Sequence, residues 1–274
     1  MTTLRRPAIG VFDSGFGGLT VLKALLELIP ESDYFYFGDT ARLPYGSKSV
    51  ETVARYAVEA TRFLEQQGAQ LLVVACNTAT ALALDKIEAQ SGVPVVGVIE
   101  PGAESASQVT KNRKVVVIGT DATIGSHAYR KALERRGIHA KEKACPLLVP
   151  LVEEGWTEHG VTEQVARIYL SEAFGDGFED GDTLLLGCTH YPLIRHLLRR
   201  VAPSHVTIVD SAQSTAQVVK DLLGSTPVQI TQEERRKLPR LKFFATDSVE
   251  KFRALGARFL GHEIQDVQHV DLKE

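Results

Sequence analysis

The sequence predicts an α/β protein built on parallel sheet and organised as two halves of related design. Three observations carry this. Short continuous runs of Val, Ile and Leu recur along the chain, as strands covered on both faces do. Amphipathic helical stretches lie between successive runs, the alternation that produces parallel sheets. Finally, one strand-turn-helix pattern appears twice. Ala8-Ile9-Gly10-Val11-Phe12-Asp13-Ser14 resembles Val115-Val116-Val117-Ile118-Gly119-Thr120-Asp121. Leu71-Leu72-Val73-Val74-Ala75-Cys76-Asn77-Thr78 resembles Thr183-Leu184-Leu185-Leu186-Gly187-Cys188-Thr189-His190, at a similar distance downstream of its partner.

The elements follow in order. A first strand over 8–12 ends in a glycine-rich turn and a helix over 18–29. The aromatic run 34–37 is the second strand. Residues 50–67 form the clearest helix, with Val53, Tyr56, Ala57, Ala60, Phe63 and Leu64 on one face and charges opposite. Strand 71–75 leads through Cys76 into a helix over 78–90, and 93–99 is the fourth strand. Glu100-Pro101-Gly102 marks a boundary. Beyond it lie strand 115–119, helices over 124–136 and 161–173, strand 183–187, helix 193–201 and strand 206–209. Helix 212–223, strand 241–245, helix 247–255 and a weak strand over 266–270 are surplus to the second half. They pack back on the first sheet or extend the second.

Composition narrows the function. The chain has 274 residues, 44% of them hydrophobic, enough for a core of ordinary size and too many for a disordered or fibrous chain. A net charge of −3, without a basic stripe, gives no reason to expect nucleic acid. The short clusters Arg5-Arg6, Arg135-Arg136, Arg199-Arg200 and Arg235-Arg236-Lys237 read as solvated faces. No apolar run approaches the ~18 residues of a membrane span. Pro7 and Asp13 interrupt what would otherwise be a leader, so no secretory signal is expected. Three widely spaced cysteines argue against a disulfide framework and for a reducing, cytoplasmic setting.

Ligands of parallel sheets bind beyond the carboxyl ends of the strands. Cys76 and Cys188 both stand there, each before a helix, in matching places of the two halves. Helix-start amides stabilise an anion, so a thiol so placed is expected to have its pKa lowered. One such cysteine is most simply a buried small hydrophobe; two in equivalent positions point to a working pair. Cys145 lacks polar company and reads as structural. Thiols facing one carbon from two sides would suit two-base proton transfer. Asp13 and His190 are the neighbouring proton handlers, although a strand-end Asp is commonly a helix cap. Glu153 is most simply part of a solvated helix end. The turn Asp13-Ser14-Gly15-Phe16-Gly17-Gly18 can hold a phosphate or a carboxylate, and it matches neither nucleotide fingerprint. Leu43-Pro44-Tyr45-Gly46-Ser47 reads as a turn. Cys76, Cys188 and His190 are suitable zinc ligands, but without a paired-Cys motif no metal site is expected.

Taken together, Asp13 to Val21, Gly38-Asp39 with Pro44-Tyr45-Gly46-Ser47, Ala75-Cys76-Asn77-Thr78-Ala79 and Gly187-Cys188-Thr189-His190-Tyr191-Pro192 resemble the bacterial glutamate racemases of the aspartate/glutamate racemase superfamily. The resemblance runs from about Ile9 to the region of Asp210. It implies two α/β domains related by pseudo-twofold symmetry, 1–99 plus 209–274 and 100–208, with the active site in the cleft between them. It implies a cofactor-independent enzyme in which Cys76 deprotonates D-glutamate and Cys188 L-glutamate. Asp13 would support Cys76, and His190 would support Cys188 with Glu153 nearby. Ser14, Tyr45, Gly46, Asn77, Thr78, Thr120 and Thr189 would hold the small-molecule substrate, together with Asp13 and His190. The product would feed peptidoglycan, and a homodimer would match the habit of the family. An aspartate racemase, an isomerase of a related diacid and a binding protein that keeps the cleft without catalysis are the alternatives. Binding alone needs neither thiol.

Overall fold

A strand buried on both faces sends alternate side chains into two different apolar layers, and the first strands of this chain do so. The computed structural model describes residues 6–224 and 240–272. Arg5 and the Arg235-Arg236-Lys237 cluster lie outside the described residues. The first stretch of chain runs β1 (Ala8–Asp13), α1 (Leu19–Leu28), β2 (Asp33–Gly38), α2 (Val50–Gln66), β3 (Leu71–Val74), α3 (Asn77–Gln90), β4 (Val95–Gly97) and α4 (Ile99–Val109). Ile9, Val11, Tyr34, Tyr36, Leu71 and Val73 enter one core cluster, beneath α1. Their strand neighbours Phe12, Phe35, Phe37, Leu72 and Val74 enter another, with Val53, Ala57, Ala60 and Leu64 of α2. This two-sided cover explains why these strands read as unbroken apolar runs.

The second stretch runs β5 (Lys114–Gly119), α5 (Asp121–Gly125), α6 (Ala128–Glu134), β6 (His139–Ala144), α7 (Leu148–Glu153), α8 (Gly160–Ala173), β7 (Thr183–Gly187), α9 (Arg195–Val201), β8 (Thr207–Asp210) and α10 (Ala212–Gly224). After it come β9 (Leu241–Ala245), α11 (Val249–Leu260) and β10 (Val267–His269). Among the described residues two sheets result, with orders β10-β9-β2-β1-β3-β4 and β6-β5-β7-β8, their pairings parallel. The order β2-β1-β3-β4 is repeated as β6-β5-β7-β8. The recurrence in the sequence is thus a recurrence of fold: Cys76 follows β3 as Cys188 follows the equivalent β7. The last two strands extend the first sheet beside β2.

Several elements differ from the sequence reading. Strand β6 was not expected, because His-Ala-Lys-Glu-Lys-Ala has no apolar run; it is an edge strand with polar side chains along it. The fourth strand shrinks from 93–99 to Val95–Gly97 because α4 begins at Ile99. Glu100-Pro101-Gly102 therefore lies in the first turn of α4, where a proline displaces no hydrogen bond. The helix over 124–136 is two, broken at His127, whose φ of 56° is left-handed. The helix over 193–201 opens as a 3₁₀ turn through Pro192 before α9. Helix α7, absent from the element order above, ends at Glu153, as its reading as a helix end expects. Among the described residues no helix is long and apolar enough to cross a membrane.

Candidate active site

Strand β1 ends at Asp13, whose Oδ2 accepts the Gly15 amide at 2.9 Å. The carboxylate is wholly buried, and its Oδ1 has no hydrogen-bond partner. Burial pushes its pKa up, opposed by the charge of His190 and by the amides of Gly15 and Gly18. The turn then passes Gly17, which the packing explains. A Cβ there would lie 2.7 Å from His190 Nδ1 and would collide with Thr189 Oγ1. Gly17 lets the two strand-end loops touch.

Cys76 caps α3. Its Sγ accepts the Ala79 amide at 3.4 Å, and its S–H donates to Ser14 Oγ at 3.5 Å. The helix start does not lower its pKa as expected. Burial pushes the thiol up to about 12, the negative charge of Asp13 adds to this, and the Ala79 and Ser14 hydrogen bonds only moderate it. Cys188 is placed differently. It stands at a bend ahead of a 3₁₀ turn rather than an α-helix, and its electrostatic partner is His190, with Nδ1 3.9 Å from Sγ. His190 Nε2 is 3.1 Å from Glu153 Oε1. Burial disfavours the imidazolium, but Cys188 and Glu153 outweigh it and hold the His190 pKa up at about 10. At neutral pH His190 therefore carries a proton.

This proton has a consequence for stability. The folded pKa of His190 lies above the ordinary value of 6.5. Its contribution is thus complete below that value and is lost as pH rises through about 10. Denaturant unfolding should show the largest advantage of wild type over His190→Asn near pH 6, shrinking toward about pH 10. A flat or growing advantage would contradict the assignment.

Both thiols line one cavity of about 380 Å³. Ser14, Tyr45, Gly46, Asn77, Thr78, Thr120, Thr189, His190 and Glu153, all singled out in the sequence, line it too. Asp13 alone does not, lying fully buried beside Cys76; Cys145 is buried elsewhere. The Tyr45 hydroxyl is already committed, donating to Asp39 Oδ2 at 2.5 Å. Asp39 also accepts from Arg42 Nε at 3.0 Å and from Thr246 Oγ1 at 2.9 Å. What Tyr45 and Gly46 offer a ligand is therefore backbone amide at the start of a 3₁₀ turn, Tyr45–Ser47. Gly46 sits so close to the second sheet's loops that a Cβ would lie 2.8 Å from Thr120 Cβ.

Sequence reasoning missed two supports of this cavity. Thr123 completes a triangle of hydroxyls with Thr78 and Thr120, at 2.9, 3.1 and 3.0 Å. Tyr129 donates its hydroxyl to Asn77 Oδ1 at 2.6 Å. Both pairings cross from one sheet's helices to the other's, so no local motif announces them. Tyr129→Phe leaves a buried carbonyl without its donor and should cost about 1–3 kcal/mol in denaturant unfolding. A loss within error of zero would mean that Asn77 finds another partner.

Residues 9–219 match the family described as Asp/Glu/Hydantoin racemase. A glutamate racemase from Koribacter versatilis is 59% identical over 286 residues, covering 98% of each chain. The chain belongs to the bacterial glutamate racemase family. Among solved structures, this racemase is similar to a glutamate racemase isoform from Bacillus anthracis, with a TM-score of 0.90, 38% identity and 98% of each chain covered. It is also similar to the Francisella tularensis glutamate racemase in complex with D-glutamate, with a TM-score of 0.88, 37% identity and 98% of each chain covered.

Proposed function

We propose that this racemase interconverts L- and D-glutamate by proton transfer between two thiols, with no cofactor. The observation that carries the reading is that two buried thiols, at equivalent strand ends of two related sheets, line one cavity. The glutamate racemase relatives, one of them solved with D-glutamate, support the substrate.

From L-glutamate, the Cys188 thiolate takes the α-proton and the electron pair delocalises into the α-carboxylate. The Cys76 thiol then delivers its proton to the other face of Cα. Cys188 ends as thiol and Cys76 as thiolate, the starting state for the reverse direction. The site's electrostatics suit this beginning. The Cys76 sulfur keeps its proton, with a pKa of about 12, while the His190 imidazolium stands 3.9 Å from the Cys188 sulfur. Glu153 holds His190 from its far side, and Asp13 serves Cys76. An α-proton is a very weak acid, so the carboxylate that receives its charge needs donors in a dry site. Ser14, Asn77, Thr78, Thr120, Thr189 and the Gly46 amide supply polar groups around the cavity.

We assign residues 1–99 with 209–274 to one domain and 100–208 to the other, the cavity lying between them. The product would serve peptidoglycan synthesis in the cytoplasm, and the active form would be a homodimer. The decisive experiment is incubation with L-glutamate in deuterated water, free of pyridoxal and of added metal. D-glutamate bearing deuterium at Cα is expected, with aspartate turned over far more slowly. Absence of any exchange would sink the proposal.

A further inference from the structure

His190 lies where three separate parts of the chain meet. Its own loop follows β7, Glu153 comes from α7, and the glycine turn after β1 passes against its Nδ1 edge at Gly17. A fourth group has no part in the mechanism above. The ring of Phe259, near the end of α11, stands against the imidazole with centroids 5.2 Å apart and an interplanar angle of 80°. Both side chains are buried, Phe259 at 3% and His190 at 5% exposure. Helix α11 belongs to the returning segment that completes the first sheet, so this contact joins the C-terminal part of the chain to the histidine beside the second sheet's thiol. The helix is fixed closely. Gly256, one turn before, has no room for a Cβ between Ile264 and Leu19 of α1, at 2.6 and 3.0 Å. The next residue back from Phe259, Arg258, lies over Gly155, two residues past Glu153.

An imidazole can rotate about its χ2 torsion, and each of its nitrogens has one productive partner here. A flip would turn Nδ1 away from Cys188 and Nε2 away from Glu153. A perpendicular aromatic ring at this distance is a favourable arrangement, and a buried neighbour of fixed shape admits few orientations of the imidazole. We propose that Phe259 is a positioning residue for the reaction, its ring holding the His190 imidazole in the one orientation that reaches both Cys188 and Glu153. The inference rests on the role given to His190 above.

The test compares Phe259→Leu, Phe259→Tyr and Leu255→Ala. Leu255 lies on the same helix at 9% exposure and is no part of the site. Phe259→Leu keeps an apolar side chain but removes the ring. It should lower kcat roughly 10- to 100-fold, with KM changed less than about threefold. The alkaline limb of its kcat–pH profile should move, and the His190 imidazole resonances in nitrogen-15 NMR spectra should shift. Phe259→Tyr restores the ring and should recover most of kcat. Leu255→Ala should lose stability while keeping kcat well below its melting temperature. Unchanged kcat, pH profile and resonances in Phe259→Leu would overturn the inference. So would shifted resonances without a change in kcat, or equal losses of kcat in Leu255→Ala. Cys188→Ser separates the two ideas: if it still racemises glutamate, the two-thiol reading falls first. If it is inactive and Phe259→Leu keeps the kcat of wild type, only the present inference falls.

Discussion

Replacing either Cys76 or Cys188 by Ser is expected to cut racemisation by about 10²- to 10⁴-fold, the usual contribution of one general acid or base. The loss in kcat/KM must be the same from either enantiomer, because the equilibrium constant between mirror images is one. Proton exchange is under no such constraint. Cys188→Ser retains the Cys76 sulfur and should still wash deuterium into D-glutamate, without inversion. Cys76→Ser should do the same for L-glutamate only. The double variant should be little worse than either single one, since the two thiols act as a unit. Chiral chromatography measures racemisation, and proton NMR in deuterated water measures exchange. Two variants that exchange both enantiomers equally would contradict the assignment of one thiol to each face.

Gly17→Ala should be the most damaging substitution of a residue without functional atoms. The added Cβ would stand 2.7 Å from His190 Nδ1 and 2.9 Å from Cε1, with Thr189 Oγ1 also in its way. Such approaches do not occur between real atoms, so either the imidazole or the turn must shift. His190 is held by Glu153 and is buried, so it has little room to withdraw. A displacement of about 1 Å at a reacting group costs on the order of 10²-fold in rate, and overpacking costs roughly 1–3 kcal/mol in stability. Gly160→Ala is the control. Its Cβ would meet nothing within 4 Å at the start of α8, so it should be neutral or slightly stabilising, by about 0.4–1 kcal/mol. Steady-state kinetics with a thermal melt of each variant decides the matter. Normal turnover in Gly17→Ala would mean that the seam between the loops is looser than described.

The recurring strand-turn-helix units were legible because burial on both faces leaves a visible trace in composition. A strand such as Leu71–Val74 has no polar position to spend, and its end is announced by Cys76 and Asn77. Most residues around the cavity were legible for a related reason, standing at strand ends where parallel sheets bind ligands, whereas Tyr45, Gly46 and Glu153 were singled out by the family resemblance alone. Strand β6 and helix α7 were not legible. His139–Ala144 is polar along its length because it is an edge, and Leu148–Glu153 is too short to display a period. Thr123, Tyr129 and Phe259 escaped as well, each meeting a partner from the other sheet's side of the cavity or from a distant segment.

The sequence by itself therefore determined the α/β class, the repeat and the positions of the two thiols, since periodicity and strand-end chemistry are local properties. Tertiary structure alone decided the ionisation of Cys76. A helix start favours a thiolate, yet complete burial beside Asp13 pushes Cys76 up to about 12, and desolvation depends on everything packed around a group. It also decided that Cys188 relies on a histidine rather than a helix, and that Gly17 and Phe259 border that histidine. Those contacts join residues far apart in the chain, so no local pattern encodes them.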